Sequence, residues 1–284
     1  MMKKTALILS LILAIGLLAG CGGKDTSTAS GENSNVSTES KVLKIGATAG
    51  PYSDMVTKAI KPILEKKGYR VELVEFGDYV QPNLALSNGD LSANLFQHKI
   101  YMENFAKENK IGLSELISVP TAPMGIYSTK FKSLGEITDG STVAIANDPT
   151  NLARTLGLLQ DAGLITVNKE IDPLRVSEKD VKDNPKQLVL QPIEAAQLPR
   201  AVDSADLSLV PGNFALAAKM NLLDALKLEN MPDDYRNRVV VNTTDLDKQF
   251  AKDLREAVES PEFEKTMDEQ FKGFGKPEWM LKRK

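Results

Sequence analysis

Hydrophobic and polar positions along the chain change period several times, and each change marks an element. Val42 to Thr48 is β-branched and ends at Gly50-Pro51. Met55, Val56, Ala59, Ile60, Ile63 and Leu64 then recur at helical spacing as far as Gly68, so a strand followed by an amphipathic helix is predicted. Pro62 lies inside that helix, where a missing N–H and a bulky ring must kink it or break it nearby. Tyr69 to Phe76 alternates as a strand, Pro82 to Leu86 reads as a short helix closed by Asn88-Gly89, and Ala93 to His98 is a third strand. Such a βαβαβ series implies a mostly parallel sheet covered by helices, with ligands at the carboxyl ends of the strands.

After apolar stretches at Leu116 to Val119 and Ala122 to Ser128, a second series begins at Thr142 to Ala146. Asp148 is placed as N-cap and Pro149 at N1 of a helix running to Ala162, with Gly163 as its stop. Strands fit Leu188 to Gln191, Leu207 to Val210 and a run near Arg238 to Asn242. Two closing helices follow, the first marked by Leu246, Phe250, Leu254, Ala257 and Val258, the second opened by Ser260-Pro261. Two α/β series of comparable length predict an α/β protein with two lobes, and no repeat of solenoid type is present.

Upstream of the first strand the pattern is of another kind. Lys3 and Lys4 precede thirteen almost entirely apolar residues, Ala6 to Leu18, which as a helix would cover about 20 Å against a hydrocarbon core of about 30 Å. This is the charged and apolar sequence of a secretory signal. It meets Leu18-Ala19-Gly20-Cys21, which resembles the bacterial lipobox, in which the cysteine is acylated and becomes the first residue. A buried core cysteine is the competing reading, but this is the only Cys of the chain and it stands where the cleavage site belongs. Acyl chains would anchor the protein without a spanning helix. Gly22 to Ser40 is rich in Gly, Ser, Thr and Asn and holds one large apolar residue, Val36, so it reads as a tether. The expected organisation is signal peptide 1–20, lipidated Cys21 and tether 21–40, lobe one 41–127 plus 240–284, and lobe two 128–239.

Composition removes several function classes. With 35 Lys+Arg against 38 Asp+Glu in 284 residues and a formal net charge of −3, no basic excess exists to neutralise phosphates, and a nucleic-acid partner is not expected. One Cys and one His exclude an internal disulfide, a CxxC pair and the usual zinc sites, and no metal or cofactor is expected. There is no P-loop, no GxGxxG and no HExxH. Charged clusters at Glu170 to Lys186 and Lys282 to Lys284 read as solvated faces.

Two patterns could carry binding chemistry. Asn147 to Arg154 puts a helix N-terminus directly after a strand, with Asn151 and Arg154 three residues apart on one face. Amide N–H groups, the helix dipole and a guanidinium fork together suit a carboxylate, whereas an ordinary cap with a solvated Arg154 is the commoner use of such a segment. In Ala93 to His98, alternation sends Phe96 and His98 to one face, with Tyr101 just beyond and Tyr79 past another strand end. Such a cluster can wrap a thioether, and plain core packing competes with that reading. His98 as a catalytic base would need a nucleophile, and as a metal ligand it lacks companions.

Four motifs in order, Phe76-Gly77-Asp78-Tyr79-Val80-Gln81-Pro82-Asn83, Ala93 to His98, Asn147 to Arg154 and Ala195-Ala196-Gln197-Leu198-Pro199-Arg200, closely resemble the NlpA family of methionine-binding lipoproteins from about Lys41 to the C-terminus. The resemblance implies a type II periplasmic-binding-protein fold, each lobe a mixed sheet flanked by helices, closing over one amino acid in the interlobe cleft. It also implies a lipid-anchored, extracytoplasmic partner of an ABC permease and its ATPase, with no catalytic activity. By motif position Arg154 would meet the ligand carboxylate with Asn151 nearby, and Tyr79, Phe96, His98 and Tyr101 would surround the side chain. Asn237 would supply an essential polar contact. Where many members carry Asn after the strand ending Leu209-Val210, this chain has Pro211, with Asn213 two residues on; that departure bears on the identity of the ligand. Another apolar amino acid, a methionine-containing dipeptide, an adhesive lipoprotein and an enzyme using His98 stand as alternatives.

Overall fold

The computed structural model describes residues 41–168 and 174–283. Cys21, the signal segment and the tether lie outside the described residues, as does part of the charged stretch after Glu170. The chain opens with β1 (Lys41–Thr48), α1 (Pro51–Met55) and α2 (Lys61–Lys66), and a π-helical segment, Val56–Ile60, joins the two helices. Here the expectation at Pro62 is met one turn upstream: the Lys61 N–H bonds the Val56 carbonyl five residues back, widening the helix before the proline ring enters it. There follow β2 (Tyr69–Phe76), α3 (Gln81–Ser87), β3 (Ala93–His98), α4 (Lys99–Asn109) and β4 (Leu113–Ser118).

The second series comprises β5 (Gly125–Tyr127), β6 (Thr142–Ala146), α5 (Pro149–Asp161), β7 (Thr166–Val167), β8 (Val181–Asp183) and β9 (Val189–Ile193), then α6 (Leu198–Ala201), β10 (Leu207–Val210), α7 (Gly212–Ala217) and β11 (Lys227–Leu228). The chain closes with β12 (Asn237–Asn242), α8 (Gln249–Glu259), α9 (Pro261–Gln270) and α10 (Glu278–Leu281). Helix α5 obeys its punctuation. Asp148 accepts the Asn151 N–H, Pro149 occupies the first turn, and Gly163 takes φ 70° while Leu164 N–H returns to the Leu159 carbonyl.

Two five-stranded mixed sheets result, in the orders β2-β1-β3-β12-β4 and β11-β5-β10-β6-β9. In the first, β1 runs parallel to β2 and β3, and β12 lies antiparallel between β3 and β4. In the second, β10, β6 and β9 are parallel, and β5 is antiparallel to β10 and β11. The antiparallel strands β5 and β12 each follow a crossover between sheets. Their pairing shifts both expected lobe boundaries: residues 125–127, assigned from the sequence to lobe one, pair in the second sheet, and residues 237–239, assigned to lobe two, pair in the first. Short apolar strands of this kind carry no signal of which sheet they join, because that is settled by hydrogen bonds to strands far away in sequence.

Period-two alternation divides each sheet between two cores. In β6, Val143 and Ile145 face the cluster with Leu156 and Leu159 of α5, while Ala144 and Ala146 face one with Leu198 and Phe214. In β12, Val239 and Val241 join Ile60, Leu254 and Phe263, and Val240 packs with Leu86 and Met102. Both faces are thus sealed by helices, and the exposed chemistry gathers at the strand ends.

Candidate functional site: the cleft between the sheets

A cavity lies where strand ends of both sheets meet, lined by Tyr52, Tyr79, Phe96, Gln97, His98, Tyr101, Thr121, Ala122, Asn151, Arg154, Gly212, Asn213 and Asn237. All eight residues singled out from the sequence as ligand contacts face it. Tyr79 sits in the turn after β2, where the Asp78 carboxylate accepts the Val80 and Gln81 N–H groups at 2.6 and 2.8 Å and fixes the entry to α3. Phe96 and His98 end β3, and Tyr101 is in the first turn of α4. Their rings form one wall: Tyr79 lies 5.8 Å from both Phe96 and Tyr101, and Phe96 lies 6.1 Å from Tyr101. Tyr101 Oη donates to the Tyr79 carbonyl at 3.0 Å. Behind this wall the buried carboxamides of Asn83, Asn94 and Gln97 bond one another at 2.6–3.0 Å, so the end of β3 is held by a satisfied polar network.

Two hydrogen bonds cross the cleft. Tyr79 Oη donates to Asn213 Oδ1 at 2.7 Å, and His98 Nε2 lies 3.2 Å from Asn151 Oδ1. His98 Nδ1 accepts the Tyr101 N–H at 3.1 Å, so the ring proton resides on Nε2 and is donated to Asn151. Burial, aided by the field of Arg154, pushes the His98 pKa down to about 3 against the Asn151 bond that opposes it. The imidazole is therefore a neutral helix cap, and both of its nitrogens are occupied. The unfolded chain binds this proton near pH 6.5 and the folded chain only near pH 3, so stability is lost as pH falls through that window by about 1.4 kcal/mol per unit. Urea midpoints measured at pH 7 and pH 5 should differ less in His98→Gln than in the wild type.

Arg154 is where the structure corrects the expectation of a free guanidinium fork. Its Nε donates to Glu229 Oε2 at 2.8 Å, its Nη2 donates to Oε1, and both side chains are 7% exposed. Its carbon stands 5.4 Å from the Tyr235 ring centre. Burial works against the guanidinium charge, and the Glu229 carboxylate more than restores it, leaving the Arg154 pKa above its ordinary value. Among the described residues only Nη1 is without a protein hydrogen bond. The N-terminal amides of α5 are likewise less open than expected, since Asp148 takes the Asn151 N–H at 3.0 Å and the Asn151 Nδ2 at 3.0 Å. The residue left wanting a partner is Asn213, whose Nδ2 is buried without one. Pro211 is outside the lining, and Asn213 occupies it instead. Gly212 is required between them, because a Cβ there would lie 2.5 Å from the Pro123 carbonyl oxygen and 2.7 Å from Ala122.

Asn237 begins β12, where its Nδ2 donates to the Phe96 carbonyl at 2.7 Å and its N–H to Thr121 Oγ1 at 2.8 Å. Thr121, Ala122 and Glu229 carry no local motif and join the site only through the crossovers, whereas Tyr52 stands in the first turn of α1 directly after β1.

Residues 43–279 match the NlpA lipoprotein family. The chain belongs to that family. The D-methionine-binding lipoprotein MetQ of Escherichia coli K12 is 38% identical over 240 residues, 84% of this chain and 88% of that protein. A nutrient-binding protein from Burkholderia cenocepacia, solved bound to methionine, superposes with a TM-score of 0.77 at 38% identity, over 81% of this chain and 97% of that one. Protein PG110 from Staphylococcus aureus gives a TM-score of 0.78 at 34% identity, over 83% and 93%. Among the described residues no helix is long and apolar enough to cross a membrane, and no cluster of His, Cys, Asp and Glu could hold a metal.

Proposed function

We propose that this NlpA lipoprotein is the solute-binding component of an ABC importer, takes methionine into the cleft between lobes of about 41–124 plus 237–284 and about 125–236, and hands it to a membrane permease driven by its ATPase. The observation that carries the reading is the make-up of the lining. Arg154 Nη1 and Asn213 Nδ2, the latter unpartnered among the described residues, are donors for a carboxylate, and Tyr79, Phe96 and Tyr101 form an aromatic wall for an unbranched apolar side chain. The names of the relatives, two of which specify methionine, agree with that division. Catalysis has no support from the site: His98 is neutral with both nitrogens engaged, and no hydroxyl or thiol nucleophile bonds it.

Calorimetric titration with methionine, norleucine, leucine and Gly-Met tests the ligand. Norleucine should bind more weakly than methionine by the S–aromatic contribution, about 0.3–1.5 kcal/mol, and leucine, branched closer to the backbone, more weakly still. Gly-Met or leucine binding as tightly as methionine would overturn the assignment. Attachment is tested separately. Cys21→Ala should leave the protein unprocessed or unanchored in membrane fractionation, and unchanged acylation and retention would remove the lipoprotein anchor from the proposal.

A further inference from the structure

The cavity holds one ionised side chain, Arg154, because its histidine is neutral and the rest of its lining is uncharged. Glu229 lies behind that guanidinium. It is held there independently of it: its carboxylate accepts the Met124 N–H at 2.6 Å, and its own N–H donates to the Met124 carbonyl at 2.9 Å. The pair therefore presents a donor edge with no net charge. Asp148, another carboxylate near the cavity, is half-buried, stands outside the lining and is spent on capping α5 through Asn151 and Thr150. An uncompensated net charge is costly in such an interior. A lone Arg154 would make the site a receptor for anions. Compensated by Glu229, the same arginine still orients a carboxylate through Nη1, but closing over a net anion leaves a buried charge, whereas a zwitterion adds none. Asn237, whose Nδ2 is taken by the Phe96 carbonyl, keeps a carboxamide oxygen for the ammonium that completes the zwitterion.

We infer that Glu229 is the residue that sets the charge class of the ligand, restricting the cleft to net-neutral α-amino acids and rejecting the corresponding acids and amines. This rests on the methionine reading above, and the test separates the two. Wild-type protein is titrated at pH 7 with methionine, with 4-(methylthio)butanoate, which lacks the amine and is anionic, and with methioninol, which lacks the carboxylate and is cationic. Methionine should bind about a hundredfold more tightly than either analogue. In Glu229→Gln the preference for methionine over the anion should fall by at least about tenfold, with the anion gaining affinity in absolute terms. A packing defect cannot produce that gain. Glu229→Asp keeps the charge and should keep the preference even where both affinities drop.

Equal binding of methionine and the butanoate to the wild type would overturn the inference without any variant, as would a Glu229→Gln protein that weakens all three ligands alike. If Glu229→Gln does not fold, Glu229→Asp decides, since loss of the preference there with the charge retained would overturn the inference. Wild-type protein that binds none of the three removes the methionine reading itself, an outcome distinct from methionine binding without charge discrimination.

Discussion

Arg154→Ala should weaken methionine binding at least about thirtyfold and destabilise the fold at once. Loss of a charge-assisted contact to a carboxylate that is then buried unpaired costs roughly 2–5 kcal/mol, about thirtyfold or more in affinity. The same substitution strands Glu229, which is 7% exposed and has no second ion pair among the described residues, and breaking a buried pair from one side costs about 3–5 kcal/mol of stability. The two effects separate in Arg154→Ala combined with Glu229→Ala, which should recover most of the urea midpoint while binding stays weakened. Calorimetry and urea unfolding on both variants check this. Near wild-type affinity in the double variant would show that Arg154 serves only the fold.

Phe96→Ala should weaken methionine by roughly 2–3 kcal/mol, about thirty- to 150-fold, through lost ring contact and a widened pocket. Truncating a fully buried Phe in a closed core costs about 3–5 kcal/mol of stability. Here the ring borders a cavity that is already present, and Tyr79 and Tyr101 remain against each other at 5.8 Å, so the unliganded fold should lose less than that. The comparison is between the shift in dissociation constant and the shift in unliganded melting temperature. An unfolded Phe96→Ala protein, or one binding as the wild type does, would assign the ring to the core.

Most of the longer elements of this protein, α4 excepted, were legible because they are encoded locally. Asp148-Pro149 and Gly163 punctuate α5 by capping chemistry, and the continuous apolar run Val143 to Ala146 marks a strand buried on both faces. The site residues were legible in part, since Tyr79, Phe96, His98, Asn151 and Arg154 stand at strand ends or in first helical turns, where an α/β fold puts its ligand. Sequence by itself thus placed these residues where strands end and helices begin, and their resemblance to a family implied that they face a cleft. It could not show what they would bond to there. Glu229 is 75 residues from Arg154, Asn213 is 134 from Tyr79, and Asn237 is 141 from Phe96, and no periodicity reaches across such distances. Membership of β5 and β12 in one sheet or the other was undetermined for the same reason, because a ladder needs a partner and the partner is remote. What only the tertiary structure decided is therefore the charge state of the site: a fork that reads as a free cation along the chain becomes half of a neutral pair once folding brings a carboxylate behind it.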